Sequence, residues 1–160
     1  MAIRFVALET SIVRNLQAGG ADANGHPPER HISTGGAPCR HCLTKVPEGE
    51  SYLIVSHRPF PVPQPYAEQG PVFLHAGPCE RHIDNGEIPQ MLTSAQYLMR
   101  GYNGLNRIVY GSGLIVAPAD IRSRAAAMFD DPQIAYIHVR SASYNCYQCR
   151  IERASEFGAV

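Results

Sequence analysis

PADIRSRAAAMFDDPQIAYIHVRSASYNCYQCRIER, residues 118–153, holds the elements that decide the fold. Pro118 suits the first position of a helix. Ile121, Ala125, Met128 and Phe129 recur at helical spacing, which predicts one main helix over Pro118 to Asp130, ended by Asp131-Pro132. Ile134 to Arg140 then alternates. Ala135, Ile137 and Val139 are expected on one face of a strand, and Tyr136, His138 and Arg140 on the other. Ser143-Tyr144-Asn145 reads as a turn into a last strand near Cys146 to Arg153. A helix followed by two adjacent strands predicts an α+β fold, a mostly antiparallel sheet with the helix packed on one face.

The flanking sequence supplies more strands than helices. Ile3 to Leu8, Glu50 to His57 and Val72 to His75 are apolar runs of strand length, and Ser11 to Leu16 has the spacing of a short helix. Pro89 to Ala95 reads as a helical turn. Asn103-Gly104 between Gln96 to Tyr102 and Leu105 to Tyr110 predicts a hairpin. Residues 19–37 and 58–71 are rich in Gly or Pro and read as long surface loops, the first with an edge strand near His31 to Thr34. At 160 residues the whole chain, 1–160, is expected to be a single domain.

Charge excludes one class of partner. Fourteen Lys and Arg balance fourteen Asp and Glu, so no nucleic acid is expected as a partner. No apolar run reaches the ~20 residues that cross a bilayer, and the first residues lack the pattern of a secretory signal, so the expected location is cytoplasmic. Thiols stay reduced there, and closely spaced cysteines are then metal ligands or redox groups before they are disulfides.

Cys39-x-x-Cys42 and Cys146-x-x-Cys149 are two C-x-x-C pairs. Paired C-x-x-C motifs are the pattern of a tetrahedral four-thiolate zinc site. Although 103 residues lie between the pairs, one antiparallel register would set Cys39 opposite Cys149 and Cys42 opposite Cys146. Residues three apart on a straight strand face opposite sides, so all four thiolates meet one ion only if each pair lies on a turn. His75, Cys79 and His82 form a second candidate cluster, in which the Gly77-Pro78 bend would let His75 and Cys79 converge.

Cys39-x-His41 with Cys79-x-x-His82 has the formal spacing of a Rieske iron-sulfur centre. The glycine-rich context is missing and Cys146 and Cys149 would go unused, which disfavours it. Pro38-Cys39-x-x-Cys42 matches half of the zinc deaminase signature, but the H-x-E half is absent. Arg40, Arg58, Arg140 and Arg150 stand beside His or Cys and are candidate anion-binding residues; surface pairing with Glu50, Glu68 and Glu152 is the plainer expectation. Tyr144 and Tyr147 are candidate stacking groups beside Cys146.

PCRHC at 38–42, GPVFLHAGPC at 70–79 with its PYAEQGPVF approach, AYIHVRSA at 135–142 and NCYQCRIER at 145–153 together resemble the bacterial family catalogued as domain of unknown function 1203. The similarity runs from about residue 36 to 153. It implies a single-domain bacterial protein of about this length and carries over no catalytic residue. The expected role is a small cytoplasmic domain with a structural zinc on Cys39, Cys42, Cys146 and Cys149. The alternatives are a Cys- or metal-dependent enzyme acting on a small anionic substrate, with Arg40 and Arg58 as clamps and His41 or His75 as base, and a metal-free interaction module presenting the Pro-rich loop.

Overall fold

Alternating apolar residues build three antiparallel sheets in the computed structural model, which describes residues 1–155. Strand β1 (Ile3–Val6) leads into helix α1 (Thr10–Gln17), whose buried residues are Val13 and Leu16. Five strands follow: β2 (Glu29–Ile32), β3 (Ala37–Pro38), β4 (Lys45–Val46), β5 (Ser51–His57) and β6 (Gly70–His75). The second half contains β7 (Tyr97–Tyr102), β8 (Leu114–Val116), helix α2 (Ile121–Met128), β9 (Tyr136–Ser141) and β10 (Tyr147–Arg153). The large sheet has the order β1-β10-β9-β7-β8; a second joins β2-β5-β6, and β3-β4 is a separate hairpin.

The main helix is shorter than its periodicity suggests. Pro118–Asp120 is a 3-10 turn, α2 covers only Ile121–Met128, and Phe129 closes it. Its apolar face behaves as expected, with Ile121, Ala125 and Phe129 buried against Ile137, Val139, Cys149 and Ile151 of the large sheet. β8 and β9 are both antiparallel to β7, so α2 carries the chain across it between two strands of like direction.

Two expectations change. Asn103-Gly104 does turn the chain, but Tyr102 meets only Ile108 in an isolated bridge; the strand that pairs with β7 is β8, further on. Asn106 adopts the left-handed region at φ 62, and the Asn103 amide donates to the Arg107 carbonyl, so the turn is wider than a two-residue hairpin. Pro89 to Ala95 is non-helical apart from a turn at Gln90-Met91. Both faces of β9 are covered: Tyr136, His138 and Arg140 are as buried as Ile137 and Val139. The Pro-rich loop supplies the cover, since Phe60 packs edge-on against Tyr102 at 5.3 Å and tilted against His138 at 5.2 Å between ring centroids.

Gly101 marks the tightest packing on β7. A Cβ there would lie 2.8 Å from Ile134 Cδ1 and 3.1 Å from Ser112 Oγ. Gly101→Ala is expected to destabilise by about 1–3 kcal/mol through overpacking, read as a lower urea midpoint with an unchanged slope.

Candidate metal centre

The segment Cys39 to Leu43 lies on the turn that joins β3 to β4. The Cys39 amide donates to the Thr44 carbonyl, the Leu43 amide returns to the Cys39 carbonyl, and Leu43 takes φ 55, an uncommon conformation for a branched side chain. The buried Leu43 side chain and the Met91 amide on its carbonyl hold the turn from outside. A turn of this kind brings residues three apart to one side, which a strand cannot do.

The other donors come from the end of β6. Cys39 bridges Phe73 in parallel, and the Arg40 amide donates to the Phe73 carbonyl, which fixes the turn against that strand. His75 ends the strand, Gly77-Pro78 bends the chain, and Cys79 returns. Helix α1 pins the bend: Gln17 donates to the carbonyls of His75 and Gly77, and Arg14 to that of Cys79.

Cys39, Cys42, His75 and Cys79 thereby place one ligand atom each within 4.8 Å of one another. This group can hold a metal ion, and it is the one such His, Cys, Asp or Glu cluster among the described residues. Cys39 Sγ lies 3.9 Å from Cys79 Sγ, and Cys42 Sγ 3.4 Å from His75 Nδ1. Further polar groups surround the sulfurs. The His75 amide approaches Cys39 Sγ at 3.3 Å, Thr44 Oγ1 lies 3.0 Å from Cys42 Sγ, and His41 Nδ1 3.1 Å from Cys79 Sγ. Thr10 Oγ1 lies 2.9 Å from the far nitrogen of His41. Where the Cys79 sulfur accepts from Nδ1–H, the neutral ring accepts a hydrogen bond from the Thr10 hydroxyl at Nε2. Burial holds the His41 imidazolium form below its ordinary range, consistent with that neutral state.

The three thiols do not ionise independently. Hydrogen bonds from Cys39, Cys79 and Thr44 pull Cys42 far below the usual thiol range. The same contacts push Cys39 and Cys79 up, because a second thiolate beside the first is repelled. All three would ionise together only with a cation among them.

The expected four-cysteine set is not assembled. β10 is paired on both edges, to β1 and to β9, so the Cys39 segment cannot lie alongside it. A register shift between Tyr147 and Cys149 turns the two onto opposite faces. Cys149 packs beneath α2 in the main core, where burial raises its thiol to about 12 despite Arg40, and Cys146 sits at the turn near the Tyr144 carbonyl. The two C-x-x-C segments do approach each other, but a guanidinium stands between them: Arg40 donates to the Tyr147 and Pro38 carbonyls and lies over the Phe73 ring. From the second cluster, His75 and Cys79 join the group. His82 does not; its amide donates to the His41 carbonyl, and its Nε2 has no partner among the described residues.

The remaining arginines divide. Arg140 pairs with Glu68 at 3.2 Å and Arg150 with Glu152 at 2.7 Å, while Arg58 reaches only the Phe60 carbonyl. Tyr147 is buried against His138, and Tyr144 is exposed. No described helix is long and apolar enough to cross a membrane.

Fold and site define a sheet-rich α+β protein with a thiolate–imidazole cluster able to take a metal ion. The chain belongs to the family described as protein of unknown function (DUF1203), whose model matches residues 36–153, a span that includes all four donors. Neither the curated proteins nor the solved structures contain a match to it.

Proposed function

We propose that this protein is a zinc-binding domain whose ion, held by Cys39, Cys42, His75 and Cys79, ties the β3–β4 turn to the end of β6. One observation carries the reading: the spacing of the donors. Tetrahedral zinc with Zn–S of ~2.3 Å and Zn–N of ~2.0–2.1 Å requires sulfur–sulfur edges of ~3.8 Å and sulfur–nitrogen edges of ~3.5 Å. The Cys39–Cys79 and Cys42–His75 separations are 3.9 and 3.4 Å. Three soft sulfurs and one imidazole also suit zinc better than magnesium or calcium, which take oxygen. Four protein donors fill a tetrahedral shell and keep no position for substrate, so the role is structural. His41, Thr44 and the His75 amide would orient the sulfurs from outside. Zinc on these residues needs reduced thiols, which suits a reducing compartment such as a bacterial cytoplasm.

The test is metal analysis of protein purified under reducing conditions without chelator, followed by exchange with cobalt. One equivalent of zinc is expected, and the cobalt form should show the intense visible bands of a tetrahedral site with thiolate charge transfer. His75→Ala should weaken metal affinity at least tenfold. Less than a tenth of an equivalent, or an octahedral cobalt spectrum, would remove the proposal.

A further inference from the structure

A second site lies away from these sulfurs. The Pro-rich loop, the start of α1 and the β9–β10 face border an open cleft of about 560 Å3. That volume falls within the ~300–1,000 Å3 of small-molecule sites. We infer that this cleft binds a small organic anion, a carboxylate or phosphate group carried on an apolar body.

Its wall is mixed in the way such a ligand needs. Leu8, Ile12, Pro59, Phe60 and Pro61 give an apolar side. Arg58, Arg81 and Arg150 face it with Glu9 and Glu152, so guanidinium exceeds carboxylate. Glu152 is committed at 2.7 Å to both Arg4 and Arg150. Arg58 and Arg81 have no carboxylate within 4.0 Å among the described residues; they reach only the carbonyls of Phe60 and Ala7.

Two histidines supply the more specific sign. His57 and His138 line the cleft, and the Nε2 of each is buried without a partner among the described residues. For His138 the tautomer follows from its neighbour. Arg140 Nη2 stands 3.5 Å from its Nδ1. A guanidinium can only donate, so Nδ1 accepts and the ring proton sits on Nε2. That leaves a donor, on a side chain with no exposure, lacking an acceptor. A ligand oxygen entering past Phe60 would complete it, with Arg58 and Arg150 balancing the charge. Tyr102, Tyr136 and Tyr147 pack around the His138 ring, at 4.6, 5.1 and 4.9 Å between centroids, and hold it in place.

The site does not depend on the metal, and its test uses the protein as purified. Calorimetric titration with phenyl phosphate, benzoate, inorganic phosphate and benzyl alcohol should give saturable binding of one or both aromatic anions, each at least tenfold tighter than inorganic phosphate or benzyl alcohol. Preference between phenyl phosphate and benzoate names the head group. Arg58→Gln and Arg150→Gln should each weaken that binding at least tenfold. His138→Phe, which keeps the ring packing, should do the same. Arg124→Gln, an exposed change on α2, should not. Circular dichroism confirms that each variant is folded, and the two arginine variants decide the matter if His138→Phe does not fold. No binding of either aromatic anion at millimolar concentration, equal binding of benzyl alcohol or of inorganic phosphate, or unchanged affinity in both arginine variants would overturn the inference.

Discussion

Cys39→Ser should release the metal and lower the melting temperature by about 8–16 °C. The magnitude follows from linkage. An ion bound only by the folded chain stabilises it by RT ln(1 + [L]/Kd), about 4 kcal/mol at a thousandfold excess over Kd. For a chain of this length each kcal/mol moves the midpoint by about 2–4 °C. Cys39 is the most exacting of the four proposed ligands to lose, because its side chain is fully buried and contacts both Cys79 Sγ and the His75 amide. A chelator added to the parent protein should reproduce most of the shift, since it removes the ion without touching the packing. Cys149→Ala is the contrast. It creates a small void under α2 and costs about 1 kcal/mol, yet metal stoichiometry stays at one. Calorimetry with metal analysis on the two variants separates the outcomes. A Cys149 variant that lost its ion, or a Cys39 variant that kept it, would refute the assignment of ligands.

The same pair shows how far the residues could be read before the structure. Local periodicity sufficed where one face meets one core: the helical face of Ile121, Ala125 and Phe129, the runs that became β5 and β6, and the short helix after β1. Non-local choices were not legible. Which strand flanks β7 depends on the turn around Asn106, and nothing in Leu105 to Tyr110 shows that a later segment pairs better. Alternation places His138 and Arg140 on one face of β9 but not what covers that face; Phe60 packs on His138 from a loop far away in sequence. At the metal centre the sequence marks all four donors, but in two separate groups. Symmetry of spacing matches Cys39-x-x-Cys42 to the other C-x-x-C, and His75-x-x-x-Cys79 groups with His82. The available signal was chemical. A turn-borne Cys pair plus a His–Cys pair around Gly77-Pro78 makes a complete tetrahedral set, whereas Cys146 and Cys149 border a strand with alternating faces. His41, Thr10 and Thr44 as outer partners could not have been found this way, since only the fold brings them to the sulfurs.

Acid should destabilise the protein well before its carboxylates titrate. His57 is held down to about 4, first by burial and then by Arg40 and Arg58. His138 lies well below the ordinary 6.5, through burial and the charges of Arg140, Arg150, Arg100 and His57. Both folded values are depressed, so both rings are neutral when folded and would bind protons once unfolded. Their contribution is intact above pH 6.5 and is lost as pH falls, through about 4 for His57 and further for His138. Between pH 7 and pH 5 each ring accounts for about 2 kcal/mol of lost stability. Asp84 beside Arg122 and Glu152 beside Arg4 and Arg150 are also held low, and their protonation adds to the loss only at more acidic pH. Metal release is the competing process, because thiolates take up protons as well. Urea midpoints at pH 7 and pH 5, with bound metal measured in parallel, separate the two. His138→Phe removes one titrating ring and leaves all four sulfur and nitrogen donors. It should therefore remove about 2 kcal/mol of the acid-induced loss at unchanged metal content. Equal losses in parent and variant would mean that His138 already carries a proton in the folded state, which its Nδ1 contact with Arg140 argues against.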